Sequence, residues 1–430
     1  MNSASIWTRH WHRALLLACL LPLAAPGQAQ GGAYKLLTKS STVYYKQPSE
    51  PGSMGNQPQT GQADPTQPGV QIGCPDQAEQ TSGQGPQQTE SIGPVVEKNR
   101  KLSRTFVAPI TRPYVLNTRY GRVQINVWSR KEVRTDVDIT TRAESDEKAQ
   151  QLLEMIQVSL KNNDPEANGG ISATTTFGTM PRECWSKHRL YEVNYTVWLP
   201  KNQALKVMNT FGDISITGDL TGPSLLAVEY GTLRTGRLEG EDNAVRVKNG
   251  SASVEYARKA LFDASYAKLR LDGGNIVELR NNYSDIDIGT VQNLTIHSKY
   301  GDVALGTVKN LEGTSGFSKF SIDKVSERLD MTVQHCPTFE VRNTSPNFRQ
   351  INLDGGYSTI LLNFPDGTGF NFDVNTQNGK LLVDKRMVTV RSEESSPASS
   401  DMQGQFGRSS LRPTGNVNIK TKYTNVSFNK

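Results

Sequence analysis

The sequence is poor in the groups that usually carry chemistry. Four cysteines and five histidines are spread over 430 residues, and His188, His297 and His335 each stand without a partner at metal-ligand spacing. No Gly-x-Ser-x-Gly elbow, His-Glu-x-x-His helix or phosphate-binding glycine loop occurs, which removes the commonest hydrolase, zinc-protease and nucleotide-binding readings. The formal charge of +6 is a small, unclustered excess on a chain with only 7% aromatic residues, so nucleic acid is not an expected partner. No apolar run reaches the length needed to span a bilayer. Nothing in this inventory calls for a cofactor.

What is present begins with a leader. Arg9, His10, His12 and Arg13 form a basic region, Ala14 to Ala25 an apolar one, and Gly27-Gln28-Ala29 a small-x-small cleavage site, so residues 1–29 read as a signal peptide. Export, to the periplasm, the cell surface or the medium, is the expectation. Loss of Arg9 and Arg13 with the leader lowers the formal charge by two. Leu16-Leu17-Ala18-Cys19 resembles a lipobox, but the apolar run continues past Cys19, which favours a cysteine discarded with the leader over a lipid anchor. The mature chain keeps Cys74, Cys184 and Cys336. A Cys74–Cys184 bridge is open to it, while Cys336, inside a repeat, reads as a buried thiol.

Residues 30–100 hold a short β-prone piece, Ser41 to Tyr45, and then a stretch of Gln, Pro, Gly, Ser and Thr. So few large apolar groups cannot offset the entropy of ordering, and a disordered linker is expected. Residues 101–203 alternate like strands, interrupted by a helix signal: Ser145 as N-cap, Asp146 and Glu147 in the first turn, Ala149, Leu152, Leu153 and Ile156 at helical spacing.

Residues 204–390 are organised by a repeat. Between Val277 and Val325 one pattern recurs three times at a 17-residue step: Val277, Leu279, Asn281, Tyr283, Ile286, Ile288, Val291, then Leu294 to Val308, then Leu311 to Val325. Two-residue steps are strands with one face buried and three-residue steps are corners, so the chain is expected to coil and stack on itself. All members of the pattern, the aromatic one included, are read as inward-facing. The aromatic column runs Phe211, Tyr230, Asn249, Tyr266, Tyr283, Tyr300 and Phe317, with His335, Tyr357 and Asn378 continuing it. Corner packing is the favoured role of these rings, ahead of carbohydrate stacking. The corner itself is written aromatic-Gly/Ser-Asp, as in Phe211-Gly212-Asp213, Tyr283-Ser284-Asp285 and Tyr300-Gly301-Asp302. Gly and Asp suit a bend. The weak metal candidates are Asp213, Asp285 and Asp302, with Asp287 a further carboxylate, because Asp285 and Asp302 lie one coil apart and calcium takes such oxygens; solvated turn residues are the favoured reading. Residues 391–414 read as a flexible Ser-rich loop, and 415–430 as a terminal strand pair, repeating the motif around Tyr423 and closing the far end.

The fold expected is therefore all-β: a right-handed parallel β-helix with coils of about 17–21 residues, handed by the strong preference of parallel crossovers, under an N-terminal β-rich capping module with one α-helix. Tyr120-Gly121-Arg122-Val123-Gln124-Ile125, the helix of Ser145 to Ile156, Tyr195 to Asn202 and the repeated Phe211-Gly212-Asp213-Ile214 corner resemble a family of exported bacterial proteins, the putative adhesins. That resemblance implies a right-handed β-helix with no known catalytic residues. A non-catalytic, monomeric binding scaffold for protein or glycan at the cell envelope is the first functional expectation. A polysaccharide-degrading β-helix enzyme is the second, and a self-assembling envelope scaffold the third.

Overall fold

A computed structural model describes residues 95–109, 111–180, 182–184, 190–407 and 412–430. The leader, Cys19, Cys74, His188 and nearly all of the expected linker lie outside these residues.

The N-terminal module contains β1 (Val96–Val107), β2 (Tyr114–Arg119), β3 (Val123–Trp128), β4 (Glu132–Ala143), α1 (Asp146–Met155), β5 (Ile156–Asp164), β6 (Gly170–Phe177) and β7 (Tyr191–Pro200). Ser145 caps α1 by accepting from the Lys148 backbone N–H at 3.3 Å, and Ala149, Leu152 and Leu153 are buried. β1 starts within the stretch assigned to the linker. Its alternating charged and polar residues carry little burial signal, and it is ordered by antiparallel pairing along the whole of β4.

The repeats follow as β8 (Leu205–Thr210), β9 (Ile214–Thr217), β10 (Ser224–Glu229), β11 (Thr232–Leu238), β12 (Asn243–Lys248), β13 (Ser251–Ser265), β14 (Lys268–Asn282), β15 (Asp285–Lys299), β16 (Val303–Gly316) and β17 (Phe320–Gln334). Looser coils continue with β18 (Phe339–Val341), β19 (Gln350–Gly356), β20 (Thr359–Asn363), β21 (Phe370–Gln377) and β22 (Leu381–Val383). Pairing is parallel, and from β13 to β15 every partner lies 17 residues away, as in Leu279 beside Ile296. The register slips after Val308 in the β16–β17 pair, where the sequence period loosens. Val277, Leu279, Ile286, Ile288 and Val291 are all buried, so the core is built of stacked aliphatics, with the buried Asn281, Ser298 and Ser315 forming a polar column at one corner.

Both ends of the described solenoid depart from simple winding. The first coil, β2–β3, lies between β6–β7 on one side and β8–β9 on the other. The solenoid therefore starts one coil in, and the chain returns outward to build the cap from antiparallel β1, β4 and β5. The mirror arrangement closes the other end. After β22 come β23 (Val388–Ser396), β24 (Ser399–Phe406), β25 (Gly415–Lys422) and β26 (Asn425–Asn429). β25 pairs in parallel with both β19 and β21, and β26 with both β20 and β22. The last coil is thus interposed rather than terminal, which corrects the expectation that it closes the far end.

That end is closed instead by the β23–β24 hairpin, antiparallel on β21. Most of the stretch expected as a Ser-rich loop is therefore strand. Met402 and Phe406 supply its buried side, and the remaining polar residues satisfy backbone pairing without needing a core of their own.

Candidate functional site

The aromatic column does not face inward. At Tyr120, Phe211, Tyr230, Asn249, Tyr266, Tyr283, Tyr300, Phe317, His335, Tyr357, Asn378 and Tyr423 the backbone is left-handed, with φ between 49° and 61°. A single positive φ breaks strand alternation, so the side chain that period two would bury is turned out. The inner place passes to the following residue, which is small: Ser284 and Ser318 are buried there, and so is Cys336, a free thiol whose Sγ lies 3.4 Å from the Ser315 hydroxyl. Where this residue is glycine the coils approach closely. A Cβ on Gly212 would sit 1.8 Å from the Gly121 carbonyl oxygen, and one on Gly231 2.0 Å from that of Gly212. The positive φ that the corner needs is thus held by the ring-bearing residue, and Gly chiefly serves contact between coils.

Outside, the rings stack in two runs. Tyr120, Phe211 and Tyr230 have centroids 5.2 and 4.8 Å apart, and Phe177 and Tyr191 close this run edge-on against Tyr120. Tyr266, Tyr283, Tyr300, Phe317, His335, Tyr357 and Tyr423 form the second, with spacings of 4.3 to 5.1 Å. Tyr423 enters the column only because its coil is interposed. Phe211, Tyr230, Tyr266, Tyr283, Phe317, Tyr357 and Tyr423 are 41–57% exposed. Within a run the faces cover one another, so solvent meets ring edges. The Tyr283 phenol is held above its usual pKa by desolvation and by the neighbouring Tyr300. Between the runs stands Asn249.

The strand after the corner forms the floor of an open groove of about 690 Å³ beside the ladder. Its first outward row, in coil order, is Asp213, Thr232, Ser251, Lys268, Asp285, Asp302 and Lys319, and its second holds Arg234, Ser253, Arg270 and Asp287. The three aspartates proposed as metal candidates are not brought together. Asp285 and Asp302 are neighbours flanked by Lys268 and Lys319, whereas Asp213 accepts the Thr232 backbone N–H at 2.8 Å several coils away. Asp287 faces Arg270 at 3.6 Å. Among the described residues no group of three or more His, Cys, Asp or Glu could hold a metal ion. His297 points outward, 3.2 Å from the Thr314 hydroxyl, and His335 is a ladder ring. The outward turn of the aromatic column is what sequence reasoning missed. The Asn in two of its places, a residue that tolerates left-handed backbone, was the available signal.

No protein-family model matches the chain, and no curated protein does. Among solved structures, similar chains include a "putative cell adhesion protein" from Clostridium sporogenes ATCC 15579, 9% identical over 77% of this chain and 99% of that one, with a TM-score of 0.18. A "putative adhesin" from Parabacteroides distasonis ATCC 8503 is 9% identical over 78% of this chain and 98% of its own, TM-score 0.29. One from Parabacteroides merdae ATCC 43184 is 13% identical over 61% and 96%, TM-score 0.26. At these scores the likenesses add nothing to the geometry described above.

Proposed function

We propose that this chain is an exported, non-catalytic, adhesin-like β-solenoid whose ladder edge and adjoining groove bind an external partner at the cell envelope. The coils wind right-handedly in this reading, following the preference of parallel crossovers, and the N-terminal module caps them. The observation that carries it is the exposed ladder on a left-handed backbone.

A bulky residue at positive φ costs on the order of 1–3 kcal/mol, and a ring stack returns roughly 0.5–1.5 kcal/mol. The corner itself accepts asparagine, as Asn249 and Asn378 show with φ of 49° and 53°. Stability alone therefore gives little reason to place exposed rings at nearly every coil, and a long line of exposed apolar groups is a common mark of a binding surface.

The double variant Tyr230→Asn/Tyr266→Asn separates the two roles. The expected outcome is a melting temperature within a few degrees of the parent and loss of binding in a glycan- and cell-surface screen. Retained binding, or release of reducing ends from any bound polysaccharide, would overturn this reading.

A further inference from the structure

The break in the ladder at Asn249 is a site of its own. Tyr230 and Tyr266 lie two coils apart, so their inner ring faces are separated by about 9.6 Å, with only the Asn249 side chain between them. A group at the midplane would lie about 4.8 Å from each face, the spacing that the ladder's own rings keep at 4.3 to 5.2 Å. Elsewhere along the column both faces of most rings are covered, so this is where one flat group can be held from both sides.

The floor beside the break differs from its flanks. Asn249, Ser251 and Ser253 lie in line on the outer side of one coil. The coil before carries Tyr230, Thr232 and Arg234 in the same places, and the coil after carries Tyr266, Lys268 and Arg270. The Asn249 carboxamide makes no hydrogen bond among the described residues, and Arg234 and Lys268 make no ion pair there. Arg270 is already committed to Asp272 at 2.8 Å and Asp287 at 3.6 Å. The depression thus offers two open ring faces, a free amide, the Ser253 hydroxyl, two unpaired cations and the acceptor side of the Ser251 hydroxyl, whose proton goes to the Thr232 hydroxyl at 3.3 Å.

From this we infer that the break binds a pyranose bearing a negatively charged substituent, carboxylate or sulfate. The sugar's apolar C–H faces pack on Tyr230 and Tyr266, its hydroxyls meet Asn249, Ser251 and Ser253, and its charge meets Arg234 and Lys268. A partner's aromatic side chain would fill the break but leave the amide, the hydroxyls and both cations unused. The inference rests on the binding role proposed above and assigns it a place and a ligand class.

The test uses an array of matched oligosaccharides, neutral, uronate-bearing, sialylated and sulfated, probed with the full chain, followed by calorimetry on the best-bound sugar. Carboxylated or sulfated sugars are expected to bind at least roughly ten-fold more tightly than their neutral counterparts. Asn249→Tyr, which completes the ladder with the residue type its neighbours carry, should lose that binding with an unchanged melting temperature. Arg234→Gln and Lys268→Gln, both on exposed side chains, should erase the preference for charge without affecting folding. The separate responses to the uronate and sulfate arms identify the anion. Failure of every acidic sugar to bind, or full affinity in the Arg234→Gln and Lys268→Gln proteins, overturns the inference. If Asn249→Tyr binds normally while Tyr230→Asn/Tyr266→Asn does not, the ladder remains the binding edge and only the placement at Asn249 fails. If neither variant loses binding, the broader reading falls with it.

Discussion

Phe428 lies in β26, which in a simply wound solenoid would be the outermost strand, paired on one side only. Here β26 is held between β20 and β22, with Phe428 beside Leu362 on one side and Val383 on the other. The ring is 2% exposed and contacts Phe364, Phe370, Phe372 and Phe406 at centroid distances of 5.6 to 6.3 Å. Truncating a phenylalanine in such a setting costs roughly 3–5 kcal/mol, against about 1 kcal/mol or less at a relaxed terminus. Phe428→Ala is therefore expected to destabilise by about 4 kcal/mol, a large share of the roughly 5–15 kcal/mol that holds most domains folded. Because repeat arrays need not melt as one unit, the assay is amide exchange read segment by segment beside a urea melt. Protection should fall together in β20, β22 and β26. A shift below about 1 kcal/mol, or lost protection confined to residues 415–430, would refute the interposed arrangement.

Other consequences are equally open to measurement. Burial raises the Tyr195 phenol from 10.0 to about 12, with the Thr175 hydrogen bond partly opposing the shift. Over that range the unfolded chain releases a proton that the folded chain keeps, so stability complete below pH 10 is lost as pH rises towards 12. The loss amounts to about 3 kcal/mol, and Tyr195→Phe should flatten the alkaline limb of a melting curve against pH. Gly212→Ala places a methyl against the Gly121 carbonyl oxygen and is expected to cost at least about 2 kcal/mol by urea denaturation. Ser145→Ala removes the α1 cap and should cost about 1 kcal/mol in the same assay.

The coil period was legible because stacking repeats the same demand at every turn: Val277, Leu294 and Leu311 must each fill the same place over their neighbours, so their spacing is the register. Asn281 and Ser298 were legible for the same reason, as a buried polar column joined by a 2.9 Å hydrogen bond. Tyr283 was not. Strand alternation assigns it inward, and only its left-handed backbone, a property no period records, sends it out. The placement of residues 415–430 was equally hidden, since Val417, Ile419, Val426 and Phe428 would suit any slot in the stack. Ser392 to Ser400 looked like a loop because a strand pairing on an existing edge draws its order from backbone hydrogen bonds, which composition does not show. The groove was out of reach because Arg234, Ser253 and Arg270 become neighbours only once the register is known.

The interposed last coil also bears on how the molecule would answer a pull. A terminal strand bonded on one side peels away one rung at a time under a weak force. Traction on Lys430 meets β26 and then β25 hydrogen-bonded on both flanks, so two ladders must part together before either strand comes free. Winding the ends inward thus gives a coiled ribbon, normally easy to unravel, a tail that resists tension.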